Sequence, residues 1–188
     1  EFCTIKIILV LNPDGLKNYT RVNAKEVDLN RDASNQTQPE SQLLRKVFDE
    51  FQPEYAFNLH DQRTIFSAGK QNKSATVSFL APAYNEAREV NNVREKAMQI
   101  IIAMNNYLQT VIPGQVGRYD DSFNINCVGD YFQHRGASTI LFEAGHFADD
   151  YDREETRKYI FLSLYYGLIE IITSDYKNQN ILDYDKIP

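Results

Sequence analysis

Residues 4 to 11, Thr-Ile-Lys-Ile-Ile-Leu-Val-Leu, are rich in β-branched side chains and run straight into Asn12-Pro-Asp-Gly15, a run suited to a turn. A buried strand ending in a loop is expected there. Leu43, Leu44, Val47, Phe48 and Phe51 then recur at helical spacing over 39–52, until Pro53 stops the helix. Tyr55 to Leu59 reads as the next strand, and Thr76 to Leu80 as another. The clearest amphipathic helix covers 85–111, with Ala87, Val90, Val93, Ala97, Ile101, Met104 and Leu108 on one face and Pro113-Gly114 ending it. A polar loop at 117–126 leads to a short helix at 128–134, then to a strand from Ser138 to Phe142 carrying Glu143 at its end. A final helix at 151–173 is apolar nearly all round, and the tail from Asp175 to Pro188 is polar and expected to be mobile. Strands interleaved with helices predict an α/β domain over 1–175, followed by a polar tail at 176–188.

Composition narrows this picture. The 188 residues are 43% hydrophobic, enough for one buried core and short for two. A net charge of -6 argues against a duplex nucleic-acid surface, which needs clustered Lys and Arg. The apolar run from Tyr159 to Ile172 is interrupted by Ser163, Gly167 and Glu170 and falls short of the ~20 residues of a membrane span, so no membrane partner is expected. Cys3 and Cys127 neither build a disulfide framework nor form a zinc cluster. The compartment stays open, a soluble protein with the cytoplasm favoured. The chain begins with Glu rather than Met, so the native start is expected to lie upstream.

The chemistry concentrates at predicted strand ends. In Val27-Asp-Leu-Asn-Arg-Asp32, Arg31 offers a planar charged fork that can grip a carboxylate through two hydrogen bonds, and Asn30 adds a neutral donor. His60 falls just past a strand's C-terminal end, where open α/β sheets place ligand-binding residues, and the following Asp61 could support it. Glu143 lies between an apolar strand and Ala144-Gly145, a partly desolvated setting that favours proton transfer near neutral pH. Taken singly, a lone histidine is more often a hydrogen-bonded structural residue, and a strand-end acid is more often solvated or paired.

In combination, Leu11-Asn-Pro-Asp-Gly15, Asn30-Arg31, Phe57-Asn-Leu-His60 and Leu141-Phe-Glu143 resemble the zinc carboxypeptidases of the carboxypeptidase A type, over roughly residues 5 to 172. The resemblance implies a three-layer α/β/α sandwich around a mixed, mostly parallel sheet. It implies that Asn30 and Arg31 bind the substrate carboxylate, that His60 is a zinc ligand and that Glu143 is the general base. It further places Arg21 at the developing oxyanion, with Arg63 as the rival, and Tyr119 as the tyrosine that closes over substrate. Asp28 is expected to orient Arg31. Tyr131 is expected to pack in the short helix, His146 to be structural, and His134 carries no motif. Asn126-Cys-Val128, where the family shapes its specificity pocket, holds no acid to welcome a basic side chain.

One departure matters as much. The family's first two zinc ligands come from a His-x-x-Glu motif upstream of the NPDG turn, and this chain has none; its three histidines are followed at the third position by Arg63, Ala137 and Asp149. The chain is therefore expected to be the C-terminal portion of a longer zinc-dependent hydrolase, inactive alone, its N-terminal strands missing. An uncovered sheet edge and self-association should follow. The expected substrate is a peptide or an acyl-amino acid. Two other readings compete: an aspartoacylase or succinylglutamate desuccinylase-like amidohydrolase, and a non-catalytic carboxylate-binding domain.

Overall fold

The computed structural model describes residues 3–70 and 72–188. In chain order the elements are α1 (Pro13–Asn18), a 3-10 turn (Leu29–Arg31), α2 (Pro39–Phe51), β1 (Tyr55–Asp61), β2 (Val77–Leu80), α3 (Asn92–Val111), β3 (Val116–Arg118), α4 (Val128–His134), β4 (Ser138–Ala144) and α5 (Glu154–Thr173). Two further 3-10 turns, Asp175–Asn178 and Ile181–Lys186, close the chain. The strands form one mixed sheet in the order β1-β4-β2-β3. β1 with β4 and β2 with β3 pair parallel, and β2 with β4 antiparallel. This is an α/β fold, as the alternation of periods predicted.

Register partners share a face of the sheet, and successive residues alternate. Phe57, Ile140, Phe142, Phe79, Val77 and Val116 thus lie on one face, where they pack with α3 and α5 into the hydrophobic core. Asn58, His60, Leu141, Glu143, Ser78 and Gly117 take the other. Helices cover both faces. A Cβ on Gly167 of α5 would lie 3.3 Å from the Phe57 ring, whereas one on Gly129 of α4 would lie 3.4 Å from Asn58 Nδ2, and these two neighbours point oppositely.

Three expectations need correction. Residues 4–10 form no ladder and are exposed, Ile7 at 72% and Leu9 at 90%, because β-propensity yields a strand only where a partner supplies the other half of its hydrogen bonds. The long amphipathic helix starts at Asn92, since Asn91 Oδ1 accepts the Arg94 N–H and fixes the cap, leaving Ala87 and Val90 in the preceding exposed loop. The tail is neither mobile nor separate. Tyr176, Tyr184 and Ile187 are buried, Tyr184 Oη accepts the Ala81 N–H at 2.9 Å, and the Pro188 carbonyl accepts the Arg118 N–H at 2.6 Å, capping the outer edge of β3. That edge strand, whose last two residues were expected in the polar loop, is defined by its parallel pairing with β2.

The remaining elements match closely. α2 and α4 occupy their expected spans, and β4 extends through Glu143 to Ala144. α5 is less enclosed than its composition implied, for Phe161 and Tyr165 stay more than half exposed. Among the described residues no helix is long and apolar enough to cross a membrane. Because Asn91 is the sole side-chain cap of α3, Asn91→Ala should lower stability by about 1 kcal/mol. A thermal melt checks this, with an expected drop of roughly 2–4 °C.

Candidate active site

The approach to the carboxylate clamp is built from short side-chain caps. Asn12 Oδ1 accepts the Gly15 N–H at 2.9 Å, so the Asn-Pro-Asp-Gly run opens α1 rather than forming an isolated turn. Asn23 Oδ1 then takes the N–H groups of Lys25 and Val27, which folds the chain back towards Asp28. Asp28 accepts the Asn30 N–H at 3.0 Å and caps the Leu29–Arg31 turn. Leu29 on one side and Asp32 on the other are buried, so the clamp residues between them are held at both ends. Asp28 does not orient Arg31 as expected; its second oxygen pairs with Arg21 Nε at 2.7 Å.

Asn30 Oδ1 accepts the Val128 N–H at the start of α4, which leaves the amide nitrogen to donate. Arg31 is exposed, and its Nη1 donates to the Asn30 carbonyl at 2.9 Å and to Cys127 Sγ at 3.1 Å. Among the described residues its Nε and Nη2 have no partner, so that edge of the fork is open to an anion. Burial raises the Cys127 thiol, with the Arg31 charge opposing, and so keeps it protonated beside the guanidinium.

His60 and Glu143 are register partners on adjacent parallel strands, which sets their side chains on one face about one strand spacing, ~4.8 Å, apart. The row continues through Ser78 to Gly117, across all four strands. Burial lowers the His60 imidazole, with the charges of Arg21 and Arg31 adding and Asp28 opposing, so it is neutral at neutral pH and able to accept a proton or a metal. Glu143 is pushed up to about 7 by burial and then by the Asp61 carboxylate, with Arg21 opposing. The Arg21 charge opposes the rise of Glu143 and adds to the lowering of His60, although its side chain is more than half exposed and paired with Asp28. Asp61 does not support His60, because it faces away and instead pairs with Arg153 Nη2 at 2.8 Å. Just beyond Glu143, a Cβ at Gly145 would meet the Ala75 carbonyl oxygen at 1.9 Å, so only glycine lets the chain pass there.

Tyr119, the residue after β3, belongs to the same cluster. Its hydroxyl donates to Gln62 Oε1 at 2.7 Å, and burial followed by the Glu143 charge holds it up to about 12, a proton donor across the neutral range. Register sets His60 beside Glu143, Asp28 ties Arg21 to the turn that carries Asn30 and Arg31, and Gln62 ties the Tyr119 hydroxyl to the end of β1. Arg63 is exposed and takes no part among the recorded contacts. Tyr131 is buried, its hydroxyl held by Arg45 and Arg135, as expected of a packing residue. The His146 carbonyl accepts the Thr76 hydroxyl, and His134 Nδ1 lies 3.0 Å from the Tyr84 carbonyl.

Sequence reasoning missed two members. Gln62, 4% exposed, fixes the Tyr119 hydroxyl; its place two residues beyond His60, on the same alternation, was the available signal. Asp130 is buried close enough to Arg31 to feel its charge, and burial pushes its carboxyl up to about 6. An acid therefore does stand next to the Asn126-Cys-Val128 stretch. Among the described residues no three His, Cys, Asp or Glu side chains converge to hold a metal ion. His60 and Glu143 alone do not make a zinc site, and a complete one needs ligands from outside this set. Searched against protein-family models and against curated proteins, the chain matches none.

Proposed function

We propose that this chain carries the carboxylate-binding and proton-transfer groups of a zinc carboxypeptidase-type hydrolase, which removes a C-terminal residue from a peptide. One observation supports this above the rest: His60 and Glu143 are register partners on adjacent strands, although they lie far apart in the chain. The substrate's terminal carboxylate docks on Asn30 Nδ2 and the open edge of Arg31. Glu143, half-ionised near neutrality, takes a proton from the attacking water and returns it to the leaving amine. Arg21 offsets the negative charge that develops on the scissile carbonyl, and such a donor is typically worth a factor of ~100 to 1000. Tyr119 donates a hydrogen bond over the same face. His60 is the ligand this chain would give to a metal; the residues here do not complete that site, and no step above depends on it.

The test compares two ligands that differ at one end. N-acetyl-Gly-Ala with a free carboxylate should bind in calorimetry, and its C-terminal amide should bind at least about tenfold more weakly, because the amide offers Arg31 no charge. Equal binding of the two would remove the clamp. Adding N-acyl aspartates to the series separates an acylase from a peptidase, and release of free alanine with added Zn2+ separates an enzyme from a binding domain.

A further inference from the structure

α5 is apolar nearly all round, yet it buries only one side. Tyr159, Ser163 and Gly167 face the core, whereas Phe161 stays 64%, Tyr165 52% and Ile172 42% exposed on the opposite side. A helix that is hydrophobic all round is ordinarily enclosed, so this outer face calls for a partner. Its positions are not scattered. Lys158, Phe161, Tyr165, Leu168, Ile172 and Asp175 follow one another at alternating steps of 3 and 4 residues, the spacing of a seam between two helices. The Phe161 and Tyr165 rings stack with centroids 6.4 Å apart and planes 17° apart, and Tyr165 meets Tyr166 edge-on. These contacts hold the outward side chains as one apolar ridge, ~21 Å long from Lys158 to Ile172.

The charges at the two ends of the ridge decide what covers it. Lys158 is exposed and held only by an exposed pair with Glu155 on its own helix, a weak restraint. Asp175, just past the helix end, is exposed and has no ion pair among the described residues. A parallel pair of such helices would set Lys158 against Lys158 and Asp175 against Asp175. In an antiparallel pair Phe161 lies opposite Ile172, Tyr165 opposite Leu168 and Lys158 opposite Asp175, so apolar meets apolar and each charge meets its opposite, twice by symmetry. The helix dipoles then oppose as well. The geometry points to this face of α5 as the contact of a two-fold dimer, packed antiparallel on the α5 of a second copy of the chain. A membrane surface fits it less well, because Glu154 and Glu155 flank the ridge and the net charge is -6. Four apolar positions per helix lie near the ~1,000 Å² lower limit of a specific interface, so the contact is reversible. This inference is independent of the carboxylate clamp.

Sedimentation velocity tests it on the whole chain. From about 1 to 200 µM, monomer should give way to dimer with a Kd on the order of 10 µM. Phe161→Glu should keep the chain monomeric throughout, and because Phe161 is mostly exposed its melting curve should match that of the parent. Lys158→Glu and Asp175→Lys should each weaken the dimer about tenfold, since two like-charge contacts replace two opposite ones. An equimolar mixture of these two variants, or the double variant, should restore it. That rescue reads the antiparallel register, which a merely destabilised fold would not reproduce. A chain that stays monomeric, or a mixture that fails to restore the dimer, overturns the contact. A dimer that survives Phe161→Glu overturns it too and places association elsewhere, as does a monomer that instead floats with phosphatidylglycerol vesicles.

Discussion

Arg31→Ala should weaken binding of a free C-terminal carboxylate by roughly 10- to 150-fold, the equivalent of about 1.5–3 kcal/mol for hydrogen bonds to a charged group. Arg31 is exposed and its recorded bonds go to the neighbouring carbonyl and to Cys127, so its loss leaves no buried partner unsatisfied and the fold intact. Arg31→Lys should fall between the two, since an ammonium keeps the charge but not the planar fork. Titration of N-acetyl-Gly-Ala into the three proteins at constant ionic strength reads this directly. An Arg31→Ala protein that binds as tightly as its parent places the carboxylate elsewhere.

Glu143→Gln should stabilise the protein above neutral pH while abolishing proton transfer. An unfolded glutamate ionises near its ordinary value of 4.5, whereas in the fold burial and Asp61 hold it at about 7. Between these values the native state binds the extra proton, so stability falls as pH rises through that window, and the whole penalty is present above about 7. Discounted for the solvent that still reaches the group, it amounts to about 1–2 kcal/mol. Glutamine is neutral throughout and escapes it. Melting curves from pH 4 to 9 should show parent and variant converging at the acid end and diverging by roughly 2–8 °C at the alkaline end. Asp61→Asn, which removes the second cause, should narrow that gap; curves parallel at every pH would mean that Glu143 titrates normally. Any reaction using Glu143 as base should lose rate as pH falls through about 7.

How much of this was legible in the chain depends on the range of the forces involved. The spans of α2 and α4, and the strand that ends in Glu143, were readable because periodicity and a stop signal act within a few residues. The start of α3 was legible in principle: Asn91 has the side chain of a cap, but Ala87 and Val90 continue the apolar spacing past it. The β-rich run at 4–10 and the tail failed for the opposite reason. A ladder and a buried tyrosine both need a partner from another part of the chain, and neither Ile7 nor Tyr184 signals by its neighbours whether that partner exists.

The candidate residues divide along the same line. Residue types gave Arg31 its fork, His60 its imidazole and Glu143 its place at an apolar strand's end, and these follow from local chemistry and the alternation of a strand. Only the tertiary structure set His60 opposite Glu143 in register, turned Asp61 and Asp28 away from the partners expected for them, and packed Gln62 against Tyr119. Side-chain identity and strand period are properties of a few bonded neighbours, and so can be read along the chain. Desolvation, charge coupling and register arise between segments dozens of residues apart, and exist only once the sheet has brought them together.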